Sequence, residues 1–530
     1  MPATIRIFCV SSLAGAATLA AALDAGLFAP DGRRLLLVAH GAEVPETTPA
    51  PDALPGFARL RERFDEVLSW NAVVAPFHPA AWAPRADDVP LWERYLRRLW
   101  RLGDGTVRLV VESVRENPSL ALCQVFTGAP VDVLVDGLAV YGPTGEKVDP
   151  LVGTRVDRLL HTGAAPGLAP LLLAEYGVPA VPVPPGALTK VAGELAGDQA
   201  RSPEVHEAHR DGGAEGRAGG GTGAGPEGLP TADTGVAADG RPEGGPPEGA
   251  DTPGPGDTRR RAGTPGGRHT GAACDTPGPR HTGPTAGTPA PGGGPDRDAR
   301  VLLLGEALAA RGLVSPAEET ELLRRTVREV VSLGHRHLVL LPPPGAPARW
   351  SRPLEEEAAR HGARCAVAPP GLPAEAALVL ARPALVVGCL SAVLLTAPER
   401  HGVPAARTGA GPLAVRRTSP AHPDRPALAL VDALVPELGA PPGTALPPGE
   451  VAALLDAVAF TMCPAVRPDL RPAAEAYLSR HLDGRARRHF SRRRLAALGL
   501  PGAVPARLEF LPRSPAVRRL ARRARSLTRR

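Results

Sequence analysis

The segment from residue 197 to residue 297 decides what the rest of this chain can fold into. From Gly197 to Pro295 it is built mainly from Gly, Pro, Thr, Arg and Asp, with almost no large apolar residue, and it repeats "DTPGP" at Asp251 and Asp275 and "RHTG" at Arg268 and Arg280. Such a segment buries too little surface to offset the entropy of ordering its backbone, so disorder is expected there. It holds 27 of the chain's 60 Gly and 15 of its 63 Pro. What remains is two folding halves, 1–196 and 298–483, followed by an Arg-rich tail, 484–530. A chain of 530 residues is in any case too long for one core.

Both halves carry the same alternation. In the first, "IRIFCV" and "RRLLLVAH" read as strands flanking the helical "GAATLAAALDAGLF", and "VRLVVES" and "VDVLVDG" as later strands, with the amphipathic "PLWERYLRRLWRLG" before them. In the second, "RVLLLG", "HLVLLP", "ARCAVA" and "ALVVG" alternate with helices through "PAEETELLRRTVREVVSLG", "PLEEEAARHG" and "SAVLLTAPERHG". Short apolar strands separated by helices predict a parallel sheet covered on both faces, so the expected fold class is α/β, two doubly wound Rossmann-like lobes. The carboxyl ends of their strands would face one interdomain cleft.

Charge and composition narrow the partners. The formal net charge is +6, but aromatic residues are 3% of the chain, so stacking platforms for bases are scarce and no specific nucleic acid partner is expected. The predominance of arginine over lysine fits a GC-rich genome equally well. In the Arg-rich tail, Val517, Leu520, Ala521, Ala524 and Leu527 fall at helical spacing, a candidate peripheral contact with an anionic membrane surface; a solvated basic tail is the alternative. The six cysteines form no C-x-x-C pair, which points away from zinc sites and disulfides and toward a reducing cytoplasm. "IRIFCVSSLAGAATLAAAL" reads as a strand and helix rather than a secretion signal.

Chemistry is expected at strand ends. Asp136, followed by Gly137, leaves an apolar run where a carboxylate could take a proton from an acceptor hydroxyl; a plain Asp-Gly turn is the alternative. Gly388 closes a strand and Ser391 opens a helix, so the free amides there could hold a phosphate, or merely cap the helix. Gly305, followed by Glu306, offers a weaker version of that turn. The corresponding exit after "HLVLL" holds Pro342, Pro343 and Pro344, which supply no amide donor and no side-chain chemistry. His78 and Pro79 lie in a loop not introduced by a strand and read as structural.

Longer stretches carry a resemblance. "PGFARLRERFDEVLSWN", "WAPRADDVPLWERYLR", "DGLAVYGPT", "DPLVGTRVDRLLH", "PARWSRPLEEEAARHG", "LVVGCLSAVLLTA" and "LRPAAEAYLSRHL" together resemble the actinobacterial branch of the bacterial polysialyltransferase family. The resemblance implies a GT-B fold and inverting transfer of sialic acid from CMP-sialic acid to a glycan acceptor, with no metal or other cofactor. It implies an acidic pair before Gly that supplies the base, and His-Pro and Ser motifs that hold the CMP phosphate. On this chain the acidic motif falls on Val135, Asp136 and Gly137, keeping one carboxylate, and the Ser motif on Ser391 and Ala392, keeping one hydroxyl. The His-Pro motif falls on Pro343 and Pro344, and Leu341 stands where a basic residue is expected.

The function expected is therefore a cytoplasmic glycosyltransferase with an impaired site, since loss of a general acid typically slows a reaction by about a hundred- to ten-thousand-fold. His335, His337 and His361 are the histidines nearest in sequence to the missing one, and the first two are expected to flank the strand instead. The alternatives are a non-catalytic nucleotide- or glycan-binding protein that keeps the fold, and a basic membrane-surface or polyanion binder.

Overall fold

Twelve short strands form two wholly parallel sheets in a computed structural model that describes residues 4–42, 44–145, 148–201, 299–410, 413, 419–440, 446–482 and 485–502. The first sheet has the order β3-β2-β1-β4-β5-β6-β7, with β1 Thr4–Val10, β2 Arg33–Val38, β3 Glu66–Ser69, β4 Thr106–Val111, β5 Val131–Val135, β6 Val156–His161 and β7 Ala180–Pro182. The second has the order β10-β9-β8-β11-β12, with β8 Arg300–Leu304, β9 His337–Leu341, β10 Arg364–Val367, β11 Leu385–Gly388 and β12 Ala405–Arg407. The two-lobed, doubly wound α/β class expected from the alternation is what the chain adopts.

The reason lies in the strands. Leu35, Leu36 and Leu37 of β2 are all fully buried, although successive side chains point to opposite faces. Both faces must therefore be covered, and the crossover helices cover them. Each lobe starts with a central strand that sends the next two strands to one side and the fourth to the other. The direction of winding reverses between β1 and β4, and again between β8 and β11. Loops on either side of such a reversal diverge and leave a crevice at the carboxyl edge, where ligands of this architecture bind.

Helices begin where the local chemistry requires. Ser12 accepts a hydrogen bond from the Gly15 amide and opens the Leu13–Asp24 helix. Ser315 and Glu318 form a reciprocal capping box at the start of Pro316–Ser332. The helix expected from Ser391 runs from Val393 to His401 instead, because the 389–391 amides are engaged elsewhere, as described below.

The expected boundaries shift at both ends. The Pro185–Arg201 helix continues through Gly197, since Val191, Ala192, Leu195 and Ala196 give it a buried face that carries its last turn. The expected disordered linker otherwise lies outside the described residues. The tail expected from 484 is folded as far as Gly502: Phe490, Leu495 and Leu500 are buried, the Phe490 ring lies 6.3 Å from that of Tyr477 on the helix Arg471–His481, and Arg494 donates to the Thr461 carbonyl near the end of the helix Pro448–Met462. The arginine-flanked stripe at 517–527 lies outside the described residues. Among the described residues no helix is long and apolar enough to cross a membrane.

A buried charge cluster ties that returning segment down. Asp432 meets Arg407 at 3.1 Å, Arg488 at 3.1 Å and His489 at 2.9 Å, and the Arg425 guanidinium donates to the His489 carbonyl. Burial pushes the Asp432 carboxyl up, but His489, Arg407 and Arg488 outweigh it and hold the group below its usual range. Removing one member of such a set leaves the others buried without compensation. Asp432→Ala should lower unfolding stability by roughly 3–5 kcal/mol in a urea titration; a loss under about 1 kcal/mol would mean the cluster is not holding the segment.

Candidate active site

Carboxylates stand at the carboxyl edges of both sheets, and two of them fill the winding reversals. In the first lobe Glu112, directly after β4, accepts from the Ser11 amide at 2.9 Å and the Ser11 hydroxyl at 2.5 Å, directly after β1. A Cβ on Gly15 would lie 1.9 Å from the Glu112 Oε1, so the first turn of the neighbouring helix admits the carboxylate only as glycine. In the second lobe Glu306, after β8, accepts from three successive amides after β11: Cys389 at 2.6 Å, Leu390 at 2.8 Å and Ser391 at 2.5 Å. Burial pushes both carboxyls up to about 7, against the pull of these hydrogen bonds.

Three convergent amides at a strand-to-helix turn form an anion cradle. Here the chain's own carboxylate fills it. Ser391 N–H, read from sequence as a phosphate ligand, donates to Glu306, while its Oγ accepts from the Val393 amide. Gly388 carries the strand under the carboxylate, 3.2 Å from Oε1 at the position a Cβ would take. The remaining space behind Glu306 is about 10 Å³, too little for a phosphate. An anion reaches these amides only by displacing Glu306.

Gly305 and the prolines form a packing unit. The Gly305 amide donates to the Leu341 carbonyl at 2.8 Å, and a Cβ there would stand 2.6 Å from Pro343 and 2.8 Å from Trp350. Pro343 is buried in that contact, whereas Pro344 is exposed. The Ala346 amide closes a turn on the Pro343 carbonyl with Gly345 at φ 74°, a conformation that favours glycine. His335, His337 and His361 all lie at the amino edge of the second sheet, away from this exit: the first two lead into β9, and His361 follows the helix before β10 and contacts Glu357.

Asp136 emerges from β5 into the seam between the lobes. Gly137 turns the chain at φ 82°, which places Leu138 back in the core and leaves the Asp136 carboxyl open to solvent but walled by protein. That desolvation, followed by the charges of Glu375 and Glu112, raises its pKa to about 7, opposed by the Gly137 amide and Arg400. Glu375 belongs to the other lobe, on the first turn of the Ala374–Ala381 helix; its carboxyl is likewise raised by burial and lowered by Arg400. Arg400, on the Val393–His401 helix, donates to the Thr162 carbonyl at 2.7 Å and the Gly163 carbonyl at 3.2 Å, directly after β6. The two lobes thus meet around two carboxyls and one guanidinium.

Of the groups at this seam the sequence singles out Asp136, and it does not single out Glu375, Arg400 or His161. His161 ends β6 opposite Val135, so it stands one strand from Asp136 on the same edge. Its Nδ1 accepts from the Gly163 amide, which places the ring proton on Nε2, and burial lowers its pKa, keeping the ring neutral. The signal for His161 was present: "LLH" ends an apolar run as "LVD" does. Nothing local marks Glu375 or Arg400, since both lie on helices of the other half of the sequence. His78 is structural, its Nε2 on the Ala42 carbonyl.

Residues 6–197 match the family model for alpha-2,8-polysialyltransferase (POLYST), and this match supports a glycosyltransferase. No curated relative matches the sequence at a significant level. Solved structures that resemble the chain include the S. aureus MnaA-UDP co-structure, 11% identical over 77% of this chain and 79% of its own, TM-score 0.37. The UDP-GlcNAc 2-epimerase from Methanocaldococcus jannaschii is 9% identical, covering 76% and 83%, TM-score 0.35. Acinetobacter baumannii MurG is 10% identical, covering 90% and 100%, TM-score 0.33.

A folded carboxyl that titrates near 7 and an unfolded one near 4.5 differ in bound protons between those values. The folded state then binds more, so stability falls as pH rises through that window and is flat above it. Glu306→Gln should make this fall shallower in melts between about pH 5 and pH 8, with Glu112 and Asp136 supplying the remainder. An identical slope in the variant would show that Glu306 is ionised throughout.

Proposed function

We propose that this chain, whose residues 6–197 match the alpha-2,8-polysialyltransferase family, transfers a sialic acid residue from CMP-sialic acid to a glycan hydroxyl. The single observation that carries the reading is the place of Asp136, a carboxyl directly after β5 in the seam between two doubly wound lobes, where burial raises its pKa. A base that titrates near the working pH balances deprotonation against proton affinity. In this scheme Asp136 takes the acceptor proton as the acceptor oxygen bonds to the anomeric carbon, and the bond from that carbon to the CMP phosphate oxygen breaks with inversion. The phosphate leaves with the bonding electron pair. No metal ion or other cofactor enters the scheme, as the resemblance implies.

The leaving phosphate needs positive charge and hydrogen-bond donors where the family's histidine is replaced by Pro343. Arg400 is the cation within reach of Asp136, and the Cys389, Leu390 and Ser391 amides are the donors, once Glu306 has moved or taken up a proton. A neutral Glu306 competes for the amides far less strongly than a carboxylate. Donor binding is therefore favoured as pH falls through about 7, while Asp136 works as a base only as pH rises through about 7. The opposed requirements give a bell-shaped, low-amplitude rate profile. In this scheme Glu375 stands in for the missing partner of the acidic pair from the other lobe: burial first, and then the Glu375 charge, keeps the Asp136 carboxyl high.

The packing of Pro343 against Gly305 and the filled amide cradle favour a second reading, a nucleotide-binding protein of the same fold without transfer. CMP binding by calorimetry, with donor hydrolysis and transfer followed in the same samples, separates the two. Transfer abolished by Asp136→Asn establishes the enzyme; binding without transfer establishes the second reading, and no binding removes both.

Two variants test the assignments. Glu306→Gln should bind CMP about tenfold more tightly than the wild type at about pH 8, with the difference closing toward about pH 6, because the charged competitor is gone. Equal affinity at both pH values would mean the phosphate does not use the 389–391 amides. Glu375→Gln removes a like charge beside Asp136, lowers its pKa and should move the rising limb of kcat to lower pH; an unmoved limb would mean Glu375 does not couple to the base.

A further inference from the structure

The Val89–Leu99 helix has two apolar faces, and only one of them is covered. Its inner face sets Leu96 into the core, and Trp92 lies edge to face on Trp82 with ring centroids 4.7 Å apart. On the outside Leu91, Tyr95 and Leu99 are 64%, 49% and 46% exposed. Spaced by four residues, they form one continuous stripe along the helix. Three of the nine large apolar side chains that stand exposed among the described residues are on this one helix, which is not the scatter expected of an ordinary surface.

The stripe has a charged border. Arg94, Arg98 and Arg101 are exposed beside it, and Arg94 and Arg98 make no ion pair among the described residues. Arg97 pairs with Glu93 at 2.9 Å, and Arg101 reaches Glu66 only at 3.8 Å. An open depression of about 570 Å³ runs between these arginines and Asp104. Acidic groups are therefore present, but four guanidiniums face two carboxylates along this depression.

The helix joins β3 to β4 and packs with Ser119–Val125, on the sheet face opposite Leu13–Asp24 and Pro185–Arg201. Pro185–Arg201 is the helix that meets the second lobe through Ala374–Ala381. The stripe thus lies on the face of the first sheet opposite that helix contact, and none of its residues belongs to the Asp136 seam.

We propose that the outer face of Val89–Leu99 docks on an anionic lipid bilayer, with Leu91, Tyr95 and Leu99 entering the headgroup and acyl boundary and Arg94, Arg98 and Arg101 meeting lipid phosphates. The pairing of the two chemistries selects this occupant. A polyanion without apolar surface would satisfy the arginines and leave both leucines in water, whereas a lipid surface takes up both at once. Tyr95 presents a ring to the apolar layer and a hydroxyl to the polar one. This surface stands on different residues from the sialyl transfer reading and survives its failure.

The test is co-sedimentation of the full chain with phosphatidylcholine vesicles, with and without phosphatidylglycerol. The wild type should partition onto the anionic vesicles only. Leu91→Ser with Leu99→Ser, and separately Arg94→Glu with Arg98→Glu, should each weaken that partition by about tenfold or more while the melting temperature stays unchanged. No binding by the wild type overturns the proposal, as does binding unchanged in both variants, which would place the contact elsewhere, in the Arg-rich tail for instance. Light scattering decides the remaining case: a dimer that these substitutions dissociate, with no vesicle binding, would make the stripe a contact between copies and overturn it equally.

Discussion

One carboxylate on three amides organises the second lobe. Glu306 joins the exit of β8 to the exit of β11 across the reversal of the sheet, and it thereby delays the start of the Val393–His401 helix by two residues. The same device recurs in the first lobe, where Glu112 joins the exits of β4 and β1 through Ser11. In both, the crevice that the winding opens is closed by a side chain of the chain itself. The interaction is strong in geometry but poised in charge, because a carboxylate held away from water gives back in desolvation much of what its hydrogen bonds supply.

That balance sets the electrostatic layout at the edges of both sheets. Pro343 and Leu341 bring no charge to the second lobe's edge, and Pro343 acts as a wall against which Gly305 and Trp350 pack. The ionisable groups that converge on Asp136 arrive from elsewhere: Glu112 from the neighbouring strand exit, Glu375 and Arg400 from two helices of the other lobe. Arg400 also fastens the lobes by its bonds to the Thr162 and Gly163 carbonyls, so the same guanidinium sets both the seam and its potential.

The fold was largely legible because its elements are long or strongly apolar. "IRIFCV", "RRLLLV" and "VDVLV" became β1, β2 and β5, and the capped helix Pro316–Ser332 lies where its pattern put it. What escaped were short or mixed elements: β12 is three residues, "AAR", and β6, "VDRLLH", carries charges in its first half. Their strand character comes from neighbours already in register, a property with no local signature. The basic end of the chain misled in the opposite direction. Arg488 and His489 look like part of a solvated tail, yet Asp432 draws them into the core.

By itself the sequence determined the two-lobed parallel architecture and Asp136 at a strand exit, because periodicity and turn chemistry act over a few residues. Only the tertiary structure decided what surrounds that carboxyl and what fills the amide cradle after β11. Glu306 lies 85 residues from Ser391 in the chain and 2.5 Å from it in space, and Glu375 belongs to a different lobe from the Asp136 carboxyl it perturbs. Electrostatic coupling depends on distance and dielectric, which the winding of the sheets and the docking of the lobes create.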